Sequence, residues 1–300
     1  MKKEALAQVT DFDLRLLRIF KTVVERGSFT AAESALGITR SAISLHMADL
    51  EKRLGMRLCQ RGRAGFALTE QGRDVLRASE AVLASIEDFR TEVNQLQRSL
   101  RGDLHIGLMN SLVTQPKMRI TAALRALRQK SEGVRLQISM STPSEIERGL
   151  LDGRLHVGAV PLINPLSGLD YQVLYEETSS LYCSCEHPLF AQASAQGVEP
   201  SALAHVATVA PNYRITPQAL ALHQTLDCAA SASDREGIAF LILTGLYIGF
   251  LPDHFAAAWV REGKLVALAP QHMRFDIALA LATRKDRRQN PIVEAFLAAI

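Results

Sequence analysis

The stretch GSFTAAESALGITRSAISLHMADLEKRLG, residues 27–55, decides how the N-terminal part of this chain folds. Gly27 ends one helix, and Ser28 can cap a short second helix carrying Ala31, Ala32, Ala35 and Leu36. Gly37 breaks that helix. Thr39 can cap a third helix running to about Leu54, and Gly55 stops it. In the third helix Ile43, Met47, Leu50 and Leu54 recur at steps of four, three and four, which makes one buried stripe. Arg40, Ser41, Ser44, Leu45 and Ala48 fall largely on other faces. Small and polar residues at a helix N-terminus suit close approach to a duplex, and an alanine-rich second helix lets the two helices cross tightly. The pattern predicts a helix-turn-helix.

Upstream, Thr10-Asp11-Phe12-Asp13 has the spacing of a capping box. Phe12, Leu16, Ile19, Phe20 and Val23 then repeat at helical spacing. Downstream, Leu58–Leu68 holds two short extended runs around a Gly/Arg turn, the pattern of a β-hairpin wing with Arg61 and Arg63 near its tip. Thr69 caps a long helix in which Val75, Ser79, Val82, Ile86, Phe89, Val93, Leu96 and Leu100 step alternately by four and three. Such an a/d seam requires a partner. The same helix of a second chain is one candidate, and packing within the chain is the other.

After Arg101-Gly102-Asp103 the chain alternates strand-like and helix-like segments. Strands are expected at Leu104–Leu108, Val134–Met140 and His156–Val160, with helices through Met118–Leu127 and Ser144–Leu151 between them. This βαβ rhythm predicts a parallel α/β sheet. A second α/β unit starts near Leu174 and takes in Leu181–Cys185, Val206–Val209 and Ile248–Leu251. Asp276–Ala282 alternates like a strand, and Pro291–Ile300 closes the chain as a helix.

Composition narrows the function class. The 300 residues are 48% hydrophobic and 22% charged, ordinary values for a soluble globular chain of about two domains. Neither a membrane span nor a secretory leader is expected, so the chain is placed in the cytosol. Residues 1–101 carry 17 Lys and Arg against 13 Asp and Glu, whereas the remainder carries 17 against 18. The basic surplus therefore sits where a phosphate-binding surface would be useful. Four cysteines (Cys59, Cys183, Cys185, Cys228) fit neither a disulfide framework nor a zinc spacing. The eight histidines form no metal-ligand pattern, and neither a glycine-rich phosphate loop nor a nucleophile elbow appears. No enzyme, cofactor or metal is expected. The rival reading is a small-molecule-binding protein of the periplasmic type without a regulatory DNA role, and the missing leader argues against it.

Several motifs together resemble the LysR-type transcriptional regulators: Gly27-Ser28-Phe29-Thr30-Ala31-Ala32, Ser41-Ala42-Ile43-Ser44, Leu50-Glu51, Leu54-Gly55, Leu58 and Leu68-Thr69-Glu70-Gln71-Gly72. Further on, Gly102-Asp103-Leu104-His105-Ile106-Gly107, Glu186-His187-Pro188-Leu189 and Gly249-Phe250-Leu251-Pro252 resemble landmarks of that family's effector domain. The resemblance implies a winged helix-turn-helix DNA-binding domain at 1–68, a dimerising linker helix at 69–101 and an effector-binding domain at 102–300. It further implies that the last is built like type II periplasmic binding proteins from two subdomains joined by two crossing strands. Subdomain I would be about 102–173 and 271–300, and subdomain II about 174–270. The implied partners are double-stranded DNA, a small-molecule effector in the cleft, further copies as homodimer or homotetramer, and RNA polymerase for an activator. No membrane is implied.

Three positions depart from the family: Arg40 replaces its common Gln, Leu45 its favoured Arg, and Cys59 its aromatic. Arg suits guanine where Gln suits adenine, so base preference is the property in question.

The expected DNA contacts are Thr30, Thr39, Arg40, Ser41 and Ser44, with Arg61 and Arg63 from the wing. Ligands of α/β sheets bind beyond strand carboxyl ends. That points to Asn110, Ser111, Ser141, Thr142, Pro143 and Pro161, faced by Asn212 from the second subdomain. The scarcity of charge among them suggests an uncharged or aromatic ligand end, although helix N-terminal amides could hold a carboxylate. The expected dimerisation set is Val75, Val82, Ile86, Phe89, Val93 and Leu96.

Overall fold

A computed structural model describes residues 8–62, 65–95 and 100–300. It divides into two compact units, one reaching Val93 and the other made of Asn94–Leu151 and Leu155–Ile300. The break falls inside the predicted linker helix. Leu96 of the predicted seam and Arg63 of the predicted wing lie outside the described residues.

The first unit contains α1 (Asp11–Arg26), α2 (Phe29–Leu36), α3 (Arg40–Leu54), β1 (Cys59–Gly62), β2 (Gly65–Leu68) and α4 (Glu70–Gln95). Its core gathers Leu16, Phe20 and Val23 of α1, Ala32 of α2, Ile43, Met47 and Leu50 of α3, and Leu58. The predicted capping box is present, with Thr10 N–H donating to Asp13 Oδ2 at 2.8 Å. Asp13 has a second task. It is buried, and it accepts both Nε and Nη2 (2.8 Å) of Arg53, so the start of α1 is tied to the last turn of α3. The Arg53 guanidinium holds the Asp13 carboxyl down at about 2.

The wing is anchored through its first residues. Glu51 of α3 accepts the N–H groups of Leu58 (2.9 Å) and Cys59 (3.2 Å), two donors that the hairpin cannot itself satisfy. Thr69 accepts the Gly72 N–H at 2.8 Å and so starts α4, while its own hydroxyl donates to the Arg57 carbonyl at 2.7 Å. Gly72 lies so close to Leu58 that a Cβ there would sit 1.9 Å from the Leu58 carbonyl oxygen. This explains a glycine inside the first turn of a long helix.

On α4 the predicted seam splits. Val75 and Leu76 are half-buried and pack against the unit's own core. Ser79, the polar interruption, is buried and donates to the Val75 carbonyl at 2.6 Å. Val82, Phe89 and Val93 remain 43%, 61% and 44% exposed.

The second unit contains β3 (Gly102–Leu108), α5 (Arg119–Lys130), β4 (Val134–Met140), α6 (Pro143–Leu151), β5 (Val157–Pro161), β6 (Leu169–Ser184), α7 (Phe190–Ala195), β7 (Ala207–Pro211), α8 (Pro217–His223), β8 (Asp227–Ala232), α9 (Arg235–Leu243), β9 (Ile248–Pro252), α10 (Asp253–Arg261), β10 (Leu265–Ala267), β11 (Arg274–Arg284) and α11 (Pro291–Leu297). The sheet order is β4-β3-β5-β11-β6-β9-β7-β8, with β10 also on β6. Pairings within each half, β3 with β4 and β5, and β7 with β8 and β9, are parallel.

The expected parallel pairing holds within each half and gives way at the centre. There β6 and β11 run antiparallel to each other from Arg274 opposite Ser180 to Arg284 opposite Leu169. β11 also pairs β5 of the first half, and β6 pairs β9 of the second. These are the two crossing strands. The boundary expected near Leu174 lies within β6, because Glu176-Glu177-Thr178 interrupts its apolar pattern and disguises one sixteen-residue strand as two segments.

Two outcomes follow for the first unit. Gly72→Ala should lower its stability by about 1–3 kcal/mol, the usual cost of forcing a methyl into packed backbone, as measured by chemical denaturation. The second concerns acid. Because the folded Asp13 pKa (about 2) lies below its ordinary 3.8, its contribution is complete above the higher value and is lost as pH falls through the lower. Asp13→Asn should therefore lower the melting temperature at neutral pH, and the gap from the unaltered chain should close toward pH 2. A gap independent of pH would refute the ion-pair account.

Candidate nucleic-acid interface and effector cleft

The buried stripe of α3 turns its N-terminal turn outward. Thr30, Thr39, Arg40 and Ser41 are exposed, Ser44 is half-buried, and Leu45 is 62% exposed. The predicted contact residues of α2 and α3 thus stand in or beside the first two turns of their helices. Thr39 Oγ1 accepts the Ala42 N–H at 3.3 Å, and Ser28 Oγ accepts that of Ala31 at 3.0 Å, so capping fixes both ends. Glu33 in the middle of α2 accepts the Arg40 N–H at 2.5 Å and ties α2 to the start of α3, a role that reading the sequence missed. Leu45, expected off the buried stripe, is the large apolar member of this outward face. Arg61 lies on β1, opposite Phe66 of β2, and Phe66 packs edge-on against Phe29 with ring centroids 5.8 Å apart.

In the second unit a cavity of about 310 Å³ opens between the two halves of the sheet. Asn110, Ser141, Thr142, Pro143 and Pro161 line it as predicted. Asn212 lines an adjoining cavity of about 190 Å³ that shares Thr142, Pro143 and Pro161. Ser111 is absent from both linings and is buried instead. The facing wall was largely missed. It comprises Tyr213, Arg214 and Thr216 between β7 and α8, and Ser233, Asp234 and Arg235 between β8 and α9. The signal was faint because β8 reads Asp-Cys-Ala-Ala-Ser-Ala, with none of the β-branched or aromatic residues that mark strands.

The cavity has distinct regions. His223, Phe250 and Phe275 form an aromatic wall, with centroids 4.9 Å apart between the first two and 5.4 Å between the last two. His223 Nδ1–H donates to the Ala219 carbonyl at 2.8 Å, and burial keeps the ring's pKa below the usual histidine range. Polar groups lie at helix starts. Thr142 and Glu145 cap α6 reciprocally, with Thr142 N–H to Glu145 Oε2 at 3.0 Å, and Asp234 caps α9 by accepting the Gly237 N–H at 2.8 Å. Arg214 is exposed on the wall.

Behind the cavity lies a buried polar network. Glu177 of β6 is almost wholly buried and accepts a two-pronged bond from Arg235, with Nη1 at 3.2 Å from Oε2 and Nη2 on Oε1. Gln115 Nε2 donates to the same Oε2 at 3.1 Å, and His254 Nε2 lies 2.8 Å from it. Arg235 Nη1 also donates to Ser111 Oγ at 2.8 Å. His254 Nδ1 is 2.7 Å from Thr114 Oγ1, whose hydroxyl donates to the Ser111 carbonyl.

Among the described residues no group of three or more His, Cys, Asp and Glu is placed to hold a metal ion, and no helix is long and apolar enough to cross a membrane. Burial pushes the Cys183 thiol up to about 12.

Residues 14–73 match the model of the bacterial regulatory helix-turn-helix proteins of the lysR family, and residues 97–300 match that of the LysR substrate-binding domain. The chain is 60% identical over 299 residues to the HTH-type transcriptional activator BauR of Pseudomonas aeruginosa, covering 100% of this chain and 98% of the relative. It is 29% identical over 287 residues to a probable HTH-type transcriptional regulator, LrrA, of Synechococcus elongatus, covering 94% of each. Its fold is similar to that of full-length CbnR solved with its target DNA, at a TM-score of 0.66 and 21% identity over 96% of this chain and 98% of that one. The chain belongs to the LysR family of DNA-binding transcriptional regulators, with an effector-binding domain following its helix-turn-helix.

Proposed function

We propose that this regulator is a transcriptional activator that enters the major groove with the first turns of α3 and answers to a small molecule held in the 310 Å³ cleft. One observation carries the reading: the buried stripe of Ile43, Met47 and Leu50 leaves Arg40, Ser41 and Leu45 exposed, as Thr30 is on α2. Thr30, Thr39, Ser41 and Ser44 bind phosphates at the two helix starts, where N–H groups and the helix dipole favour anions. Arg40 reads a base, with its two-pronged guanidinium suited to guanine, and Leu45 meets a thymine methyl. Arg61 and Arg63 of the wing hold the flanking backbone. The activating sign is supported by the role in the name of the 60% identical relative, and RNA polymerase is the partner that sign requires. The cleft binds and releases its ligand without a catalytic step, and the protein works where its DNA is, in the cytoplasm.

The effector in this reading is compact, with an apolar part against His223, Phe250 and Phe275 and an anionic end on Arg214. The seam of α4, with Val82, Phe89 and Val93 exposed and Ile86 half-buried, is covered by the same helix of a second copy, which presents two reading heads to a symmetric site.

Gel-shift titration against the chain's own upstream region tests the DNA face. Arg40→Ala should weaken specific binding by roughly tenfold or more, as loss of a bidentate base contact does, and leave binding to unrelated DNA nearly unchanged. Equal loss on both DNAs would reduce Arg40 to a phosphate contact. For the cleft, a panel of small carboxylates and their neutral amides should contain carboxylates that raise the melting temperature, and Arg214→Ala should abolish that rise. Stabilisation by the amides alone would overturn the anionic assignment. Phe89→Glu should shift the mass measured by light scattering toward the monomer, and an unchanged mass would remove α4 from the interface.

A further inference from the structure

We infer that Ser111 and Arg235, backed by Glu177, form a latch that sets the angle between the two halves of the effector unit and through which the cleft's occupant is read. Only the second part rests on the cleft being the effector site.

The latch joins three places. Ser111 belongs to the turn after β3, in the first half. Arg235 opens α9, in the second half. Glu177 sits on β6, which crosses between them. Ser111 Oγ donates to the Asn110 carbonyl at 2.6 Å and accepts from Arg235 Nη1 at 2.8 Å. Asn110 and Arg235 both line the cavity, on its opposite walls. One hydroxyl therefore joins the two walls that a ligand would touch. Any ligand contact that shifts one wall acts on a charge-assisted bond that weakens steeply with distance and angle.

The backbone supports this role. Ser111 has φ 68°, a left-handed conformation that a non-glycine residue keeps only when its surroundings hold it. Two further contacts cross at the same turn: Gln115 Nε2 to Glu177, and Thr114 Oγ1 with His254 Nδ1. Arg235 cannot follow the first half when the halves separate. Its other bonds go to Tyr213 of the same half and to Glu177, a carboxylate without solvent access to replace a lost partner. A buried ion pair of this kind is costly to break, so motion is confined to the Ser111 side. The joint is thus two-state: either Arg235 holds Ser111, or the 111–115 turn is released while Arg235 stays on Glu177. Ser111 and Arg235 are positioning residues here, and the latch requires no chemical step.

The test is a spin-label distance across the effector unit of the full-length protein. One label goes on Lys130→Cys, exposed on α5, and the other on the native Cys228, exposed on β8, with Cys185→Ser and dilution into unlabelled protein. Ser111→Ala removes the hydroxyl and keeps the strained backbone, whereas Ser111→Gly removes the hydroxyl and relieves the strain. Losing one hydrogen bond to a charged group should shift the ratio of closed to open distances by roughly tenfold or more, equally in both variants. A distance distribution unchanged in Ser111→Gly overturns the latch, even if Ser111→Ala alters it, because the residue would then serve only the turn. No effector is added. Failure of every carboxylate to stabilise the protein would therefore sink the anionic cleft reading without touching this result, and an unchanged distance would sink the latch whatever the cleft binds.

Discussion

Strands β6 and β11 are paired antiparallel along eleven residues of β11, and the effector unit is arranged around that pairing. Each strand is too long to belong to one half of the sheet. Its backbone donors and acceptors must nevertheless be met along its whole length, since an unpaired buried peptide group is costly. β11 meets part of this demand from β5, and β6 from β9. Two parallel α/β halves therefore hang on one antiparallel pair. Strand carboxyl ends from both halves face a common gap, which is where loops can gather polar groups around a ligand. The cleft is a consequence of the crossing strands.

The same pair explains why a carboxylate is buried at the centre. Successive residues of a strand point to opposite faces, so a crossing strand cannot keep every polar side chain wet. Glu177 points inward and meets Arg235, Gln115 and His254. A buried charge is tolerated only when paired and fully hydrogen-bonded. Each half of the unit supplies partners, Gln115 from one and Arg235 and His254 from the other. The electrostatic demand of one residue thereby draws on both halves, and Ser111 extends that dependence to the cavity wall.

Legibility in the sequence followed the strength of local signals. The helix-turn-helix was readable because its capping residues, its glycine stops and the Ile43, Met47 and Leu50 stripe all act within a few positions of one another. The first half of the effector unit was readable for the same reason, since its apolar strands alternate with amphipathic helices. The second half was readable only in part, at β7, β9 and the end of β6. β8 is made of small residues, and β6 is interrupted by Glu176-Glu177-Thr178. No local pattern announces that Glu177 will find Arg235 fifty-eight positions away, and so the wall containing Tyr213, Arg214 and Arg235 went unread. Val75 shows a different limit. Its heptad position is correct, but whether the core of its own unit or a second chain takes it depends on tertiary packing.

Capping residues limit what either site can be made of. Thr39 at the DNA face and Thr142 and Asp234 at the cleft each already accept a backbone N–H. A cap at an exposed helix start leaves other N–H groups free, and a neutral hydroxyl leaves the dipole's positive end intact, so α3 keeps its attraction for phosphate. At the cleft the caps differ. Asp234 is itself acidic, and Thr142 is paired with Glu145, so carboxylates stand at two of the three helix starts bordering the cavity, while Thr216 caps α8 with a neutral hydroxyl. Those carboxylates offset the positive ends of α6 and α9. An anion entering the cleft then gains less from helix termini than the fold alone would suggest, and more from a guanidinium. Arg235 is committed to Glu177 and Ser111, whereas Arg214 is exposed on the wall. The division of labour follows from charge: one arginine is held within the fold, and the other stands exposed on the cavity wall.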